Sequence, residues 1–298
     1  MPAISVILPT YNRAAVLKRA VDSILAQDFA DFDVIVVDDG SEDETARLMQ
    51  SYRDPRIIYV CQPANRGGNA CRNDGIMQAR SDIICFLDSD DAYLPHKLGF
   101  VAAYFMQHPD IDVLVDSFEL VYPMEQGAWR KPRVNPVLDH STVVEWAVYS
   151  RRLYKATPAI SARRQALLAV GLFDETLKRL QDMDLLLRLA RSHRCATTDQ
   201  ILWTKYRTAG AISTAHHTFI AATIEICQRH PDYLRRPDYR VGLARRLARH
   251  CWRLMGRHEW SLLVPDFRRL GAYCGWTTMT ALALRGLLES CTRRIAAP

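Results

Sequence analysis

The sequence predicts an α/β fold, with a mostly parallel central sheet, helices on both faces and a helical C-terminal segment. Three observations carry this. Over the first 115 residues, short β-rich apolar runs alternate with stretches whose apolar residues recur at helical spacing. Polar clusters follow directly on the first, second and fourth of the predicted strands. From Thr218 onward the chain reads as helix and is rich in Arg. A length of 298 residues suffices for one large α/β domain and an appendage.

Taken in order, Ile4–Leu8 is the first strand, and Ala15–Gln27 sets Val16, Ala20 and Ile24 on one helical side. Val34–Val37 is a second buried strand, ending in an Asp-Asp-Gly-Ser turn. Glu44–Tyr52 reads as helix, Arg56–Val60 as strand, Asn69–Ala79 as helix, Ile83–Leu87 as strand and Leu98–His108 as helix. Val113–Val115 is a short fifth strand, and the proline-containing stretch from Pro123 to Pro136 reads as loop. Thr142–Arg151 and Ser161–Val170 are expected to be helical. Gln181–Ser192 predicts a strongly amphipathic helix with an acidic first turn, and Ile201–Tyr206 a strand. In sheets of this kind, ligands sit beyond the carboxyl ends of the strands, near a switch point.

Charge is unevenly distributed. The formal net charge is +6, yet the segment from Arg229 to Pro298 holds fourteen Arg, no Lys and five acidic residues, leaving the first 228 residues at −3. Only the tail is therefore suited to an anionic surface. Arg245, Arg246, Arg249, Arg253 and Arg257 recur every three or four residues, with Trp252, Leu254, Trp260, Leu262 and Leu263 nearby. One reading is a basic amphipathic helix in a membrane interface. The other is an appendage packed on the rest of the chain or on a second subunit in a homo-oligomer. No nucleic-acid partner is expected. The eight cysteines form no CxxC pair, which fits free thiols in a reducing compartment. No signal peptide is recognisable, and the longest apolar candidate, Leu270–Leu284, is too short for a spanning helix. The expected location is cytoplasmic, with peripheral contact at the inner face of the membrane under the first reading of the tail.

The polar clusters are Pro9-Thr10-Tyr11-Asn12-Arg13, Asp38-Asp39-Gly40-Ser41 and Asp88-Ser89-Asp90-Asp91. Taken alone, Asp38–Ser41 could be no more than a turn, and one aspartate of the third cluster could cap the helix after Pro95. Three clusters in register on one sheet edge are harder to dismiss. Adjacent carboxylates repel unless a cation neutralises them, and hard oxygen ligands suit Mg²⁺ or Mn²⁺. In Asn65-Arg66-Gly67-Gly68 the glycines allow close backbone approach, and Arg72 could fork onto a phosphate or simply be solvated.

Together with Gly171-Leu-Phe-Asp-Glu175 and Gln181-Asp-Met-Asp184, these motifs resemble the family 2 glycosyltransferases of GT-A fold. The resemblance runs over roughly residues 3–213. It rests further on Ser5-Val-Ile-Leu-Pro-Thr-Tyr-Asn12, Val36-Val-Asp-Asp-Gly-Ser41, Ala70-Cys-Arg-Asn73 and Phe86-Leu-Asp-Ser-Asp-Asp91, in matching order and spacing. It implies an inverting, metal-dependent enzyme that uses a nucleotide-diphosphate sugar, with UDP-sugar expected, and an acceptor that is a glycan or lipid-linked glycan. By the same resemblance Thr10 and Tyr11 line the base pocket, Asp39 contacts base or ribose, Arg72 lies by the nucleotide and Asp88 binds ribose. Asn12, Arg13 and Ser89 complete the donor-binding set. Asp90 is the metal ligand of a DxD motif, with Mn²⁺ or Mg²⁺ as cofactor. Asp182 is the general base; the helix dipole is the alternative reason for a carboxylate there.

The implied division is 1–115 as nucleotide-sugar-binding half, 116–215 as acceptor and catalytic half, and 216–298 as helical basic segment. Two departures stand out. Gln181 replaces a common Glu, and Tyr206-Arg207 is followed by Thr208-Ala209-Gly210 rather than His, with His216 and His217 too far on to assign. A nicotinamide dehydrogenase would need a Gly-rich turn after its first strand, where this chain has Pro-Thr-Tyr-Asn. A metal-dependent nucleotidyltransferase and a non-catalytic nucleotide-sugar binder remain as alternatives.

Overall fold

A computed structural model describes residues 1–124, 127–150, 152–207, 219–235, 243 and 250–274. The chain falls into two compact units, Met1–Ala211 and Ile212–Pro298. In the first unit the order is β1 (Ile4–Thr10), α1 (Ala14–Leu25), β2 (Phe32–Asp38), α2 (Thr45–Ser51), β3 (Ile57–Cys61), α3 (Gly68–Gln78), β4 (Ile83–Phe86), β5 (Ala92–Tyr93) and α4 (Lys97–Gln107). It continues with β6 (Val113–Pro123), β7 (Ala128–Arg133), α5 (Ser141–Tyr149), β8 (Ile160–Arg163), α6 (Arg164–Ala169), α7 (Gln181–Ser192) and β9 (Cys195–Tyr206).

Among the described residues these strands form one sheet ordered β3-β2-β1-β4-β8-β6-β9-β5, with β7 paired to β6. The first four run parallel. Both β1 and β2 are buried at every position, as strands covered on both faces by helices must be. Helix α3 packs closely on this block: a Cβ on Gly75 would lie 2.5 Å from Ile7 Cγ2. Gly75→Ala should therefore destabilise the fold. Forced repacking costs about 1–3 kcal/mol, offset by up to ~1 kcal/mol of better helix propensity. Denaturant unfolding measures the difference.

Three sequence expectations need correction. The fifth strand is not three residues long; β6 runs to Pro123 and carries both β8 and β9. The expected loop from Pro123 to Pro136 contains β7, which can hold Pro132 because among the described residues it pairs on one side only, with β6. Ser161–Val170 is not one helix: Ile160–Arg163 is a strand bridging β4 and β6, and only Arg164–Ala169 is helical. The partly filled edges of β4 and β6 offer unpaired backbone groups on both sides of this segment. Strand pairing satisfies both edges, which a helix there would not.

Lys97 and Asp116 form a fully buried ion pair in the first unit, neither partner being exposed. Lys97 Nζ also donates to Pro158 O at 3.1 Å, and Trp203 Nε1 donates to Asp116 Oδ1 at 2.9 Å. Burial pushes the Asp116 carboxyl up to about 6, against the pull of Lys97 and Trp203. The group ties α4, β6 and β9 together.

In the second unit, α8 (Phe219–Arg229), α9 (Asp232–Arg235) and α10 (Trp260–Cys274) are helical, as are residues 250–256. His250 Nε2 and Asp266 Oδ2 form a buried pair at 3.2 Å. Arg253 and Arg257 are exposed while Cys251 and Leu254 are buried. His216, His217, Arg245, Arg246, Arg249, residues 208–210 and the apolar stretch 276–288 lie outside the described residues. No described helix is long and apolar enough to cross a membrane. Of the cysteines, Cys61, Cys71, Cys85, Cys195, Cys227 and Cys251 are free thiols.

Candidate active site

The carboxyl ends of β1 and β2 are adjacent because the strands pair in register up to Thr10 and Asp38. Asn12 stitches their loops together. Its backbone N–H donates to Ser41 Oγ at 2.8 Å, and its Oδ1 accepts from Glu42 N at 2.8 Å. Asn12 has φ of 50°, a left-handed conformation that Asn tolerates better than most residues. Tyr11 is exposed, Arg13 is the half-buried residue preceding α1, and the Thr10 hydroxyl is buried without a hydrogen-bond partner among the described residues.

The two aspartates after β2 have separate tasks. Asp38 is fully buried and accepts from Tyr59 Oη at 2.6 Å and Ser41 N at 2.9 Å. Asp39 accepts from the backbone N–H groups of Arg66 and Gly67, at 2.7 and 2.8 Å. The carboxylate thus pins the glycine loop that leads into α3. Gly67 has φ of 96°, so a side chain there would be strained.

Helix α3 works on two sides. Arg72, almost fully buried, donates to Asp88 Oδ1 at 2.7 Å and to Asn69 Oδ1 at 3.3 Å. Asn69 Nδ2 donates to the carbonyls of Asp174 and Leu177, at 2.9 and 2.7 Å. Asn73 Nδ2 donates to Phe173 O at 2.9 Å, while its Oδ1 accepts from Phe173 N at 3.0 Å. Arg66 adds an ion pair with Glu175 at 3.6 Å. Two asparagines on one helix therefore clamp the loop that delivers α7. Clustering of Ala70-Cys-Arg-Asn73 with Gly171-Leu-Phe-Asp-Glu175 has this physical meaning.

Asp182 sits in the first turn of α7, half-buried, and accepts from Met183 N at 2.7 Å. Leu180 before it has φ of 62°, a left-handed turn that swings the chain into the helix. Asp182 also acts on Arg179, whose pKa burial lowers and the carboxylate raises. Asp184 points elsewhere: it is buried and accepts from Arg188 Nε and Nη2 at 2.9 and 2.6 Å.

The acidic turn after β4 divides. Asp88 pairs with Arg72, Ser89 is buried, and Asp90 lies at the turn, where its carbonyl accepts from Arg19 Nη2. Asp91 is fully buried; Oδ1 accepts from Tyr206 N at 3.0 Å, and Oδ2 lies 3.7 Å from Lys205 Nζ. Burial, joined by the charges of Asp88 and Asp90, raises the Asp91 carboxyl above its ordinary value, while Lys205 and the Tyr206 amide pull it back toward the charged form. Asp91 is thus a strut to β9, and the run of three aspartates is not one open ligand set.

Sequence reasoning did not single out two cations at this edge. Arg19 stacks 3.7 Å above the Tyr206 ring, and Lys205 lies beside Asp91. The one available signal for Lys205 was its place directly before the Tyr206-Arg207 pair. Arg207 itself lies over the Tyr122 ring at 5.5 Å.

The turn offers hard oxygen donors of the kind Mg²⁺ and Mn²⁺ take. Among the described residues no group of three His, Cys, Asp or Glu forms a protein-only cage. The set fits a cation held by one or two carboxylates and completed by substrate phosphates.

A parallel block with polar loops at its carboxyl edge, extended by a mixed second half, defines an α/β protein of GT-A fold. The chain belongs to glycosyl transferase family 2, whose defining pattern matches residues 5–167. It is 30% identical over 232 residues to the uncharacterized glycosyltransferase RP339 of Rickettsia prowazekii, covering 76% of this chain and 65% of that one. It is 43% identical over 102 residues to the GalNAc(5)-diNAcBac-PP-undecaprenol beta-1,3-glucosyltransferase of Campylobacter jejuni, covering 33% of each. The chain thus spans less than two thirds of the length of these relatives. Among solved structures, S. aureus TarS 1-349 in complex with UDP-GlcNAc superposes with a TM-score of 0.71 at 20% identity, covering 97% of this chain and 92% of that one. At that identity the likeness is one of fold.

Proposed function

We propose that this protein is an inverting glycosyltransferase that moves a sugar from a UDP-sugar, with Mn²⁺ or Mg²⁺, to a hydroxyl of a glycan or lipid-linked glycan. The observation that carries the reading is the meeting of Asp39, Arg72, Asp88 and Asp90 at one sheet edge, with α3 tying that edge to the loop that presents Asp182. Family membership supports the donor class. The Campylobacter relative, named for an undecaprenol-linked acceptor, supports a lipid-linked one.

In this reading Thr10, Tyr11, Asn12 and Arg13 with Asp39 receive the base and ribose, Asp88 and Ser89 hold the ribose side, and Arg72 orients Asp88. Asp182 accepts the proton of the acceptor hydroxyl. The freed oxygen attacks the anomeric carbon from the face opposite the diphosphate. The bond from that carbon to the β-phosphate oxygen breaks, and its electron pair leaves with UDP. One such displacement inverts the anomeric configuration. A divalent ion on Asp90 would offset the charge that develops on the diphosphate.

Calorimetry tests the donor class: UDP should bind in the presence of Mn²⁺ or Mg²⁺ and more weakly with chelator. Absence of binding of any nucleoside diphosphate with either metal overturns the reading. Product analysis separates it from nucleotidyl transfer, since the glycosyltransferase releases UDP and the alternative releases pyrophosphate.

The Arg-rich tail is read as a contact with anionic membrane, bringing the site to a lipid-linked acceptor. The exposure of Arg253, Arg257 and Trp260 supports it. Full-length protein should sediment with anionic vesicles at low salt, and protein truncated after His217 should not. Equal recovery of both in the supernatant would leave the tail as a packing or oligomer surface.

A further inference from the structure

Lys205 has a position that neither family membership nor the sequence motifs account for. Strand β9 pairs antiparallel with β5, Ala92 opposite Thr204, so Lys205 arrives beside the acidic turn that precedes β5. Its Nζ lies 3.7 Å from Asp91 Oδ2, beyond hydrogen-bond range, and among the described residues that oxygen accepts no hydrogen bond. The other oxygen of Asp91 is taken by the Tyr206 amide. Lys205 therefore balances a buried carboxylate by charge alone, without committing an N–H to it.

The neighbouring charges are already matched in part. Asp88 has its own guanidinium in Arg72, and Asp184 has Arg188. Burial would lower the pKa of Lys205, but Asp91, Asp88, Asp90 and Asp182 together outweigh it and raise it. One ammonium thus stands in the field of Asp88, Asp90 and the candidate base Asp182. Its side chain remains 29% exposed, so a ligand can reach it. Trp203 lies two residues earlier on the same strand face, its ring centroid 6.0 Å from Nζ.

We propose that Lys205 is a donor-binding residue whose ammonium donates to the diphosphate of the nucleotide sugar while its charge balances Asp91. The assignment rests on the donor reading above. A compact ammonium on a flexible stem can make this move, because it can turn toward a phosphate without leaving Asp91's field. A divalent ion on Asp90 together with Lys205 would supply more positive charge than Asp90 and Asp91 cancel, a surplus that suits a diphosphate leaving group.

Calorimetry with UDP and with uridine, in Mg²⁺, tests the assignment on Lys205→Met and Lys205→Arg. UDP binding should weaken about tenfold or more in Lys205→Met, the scale of one charge-assisted hydrogen bond. Uridine binding should stay unchanged, and Lys205→Arg should recover most of the UDP affinity. A Lys205→Met protein that binds UDP as the wild type does overturns the proposal. So does equal weakening of UDP and uridine, the mark of a merely structural role. If Lys205→Met does not fold, the double variant Lys205→Met with Asp91→Asn removes the stranded carboxylate, and the same split between UDP and uridine is expected. Wild-type protein that binds neither probe overturns the donor reading itself, and this proposal with it.

Discussion

Asp182→Asn is expected to lower kcat by about 10²–10⁴-fold, the range of a positioned proton acceptor, while UDP affinity stays at the wild-type level. The amide is isosteric, and its oxygen can still accept from the Met183 amide, so the first turn of α7 is preserved. The loop before it is held independently by Asn69 and Asn73. Only the ability to take a proton is lost. Single-turnover transfer assays with calorimetry on the same protein give both readouts. Near-normal transfer would show that another group is the base. Asp184 is a poor substitute, since Arg188 grips it inside the fold, so Glu175 would be tested next.

Lys97→Met should destabilise the first unit by about 3–5 kcal/mol, the usual cost of removing one partner of a buried ion pair. Asp116 would be left buried, with Trp203 as its remaining side-chain donor. The loss should depend on pH. Asp116 is already raised to about 6 in the folded state, above its ordinary value of 3.8. A carboxyl raised by folding holds more protons when folded, so its contribution to stability falls as pH rises between those two values. Removing Lys97 takes away the cation that opposes this rise. The deficit should therefore be larger at pH 8 than at pH 5.5. The double variant with Asp116→Asn should lose less than Lys97→Met alone, because no buried charge remains. Urea unfolding at both pH values checks each statement, and a Lys97→Met loss below about 1 kcal/mol would contradict the argument.

Much of the site was legible before the fold was known, for identifiable reasons. Strands β1, β2 and β4 are apolar runs closed by polar turns, and α7 has a clear amphipathic stripe, so their types follow from period alone. Once those strands are parallel neighbours, their carboxyl ends must meet. That puts Asn12, Asp39 and Asp88 on one edge without any knowledge of side-chain contacts. Local chemistry could not reveal which carboxylates stay open at that edge. Asp88, Asp90 and Asp91 look alike in sequence, yet one faces Arg72 and another is buried and accepts from the Tyr206 amide.

Residue pattern was enough for the α/β class, the edge where polar loops converge, and the place of Asp182 at a helix start. Which groups meet there depends on the folded chain. Segment Ile160–Arg163 became a strand because β4 and β6 both had backbone groups to satisfy there. Pro132 was accommodated because β7, among the described residues, is bonded on one side only. Lys205 and Arg19 joined the acidic turn because β9 returns to it, the Tyr206 amide meeting a carboxylate 115 residues away along the chain. Periodicity reports which face of an element is buried, but pairing between distant segments is settled only when their hydrogen-bonding edges and charges compete for the same neighbours.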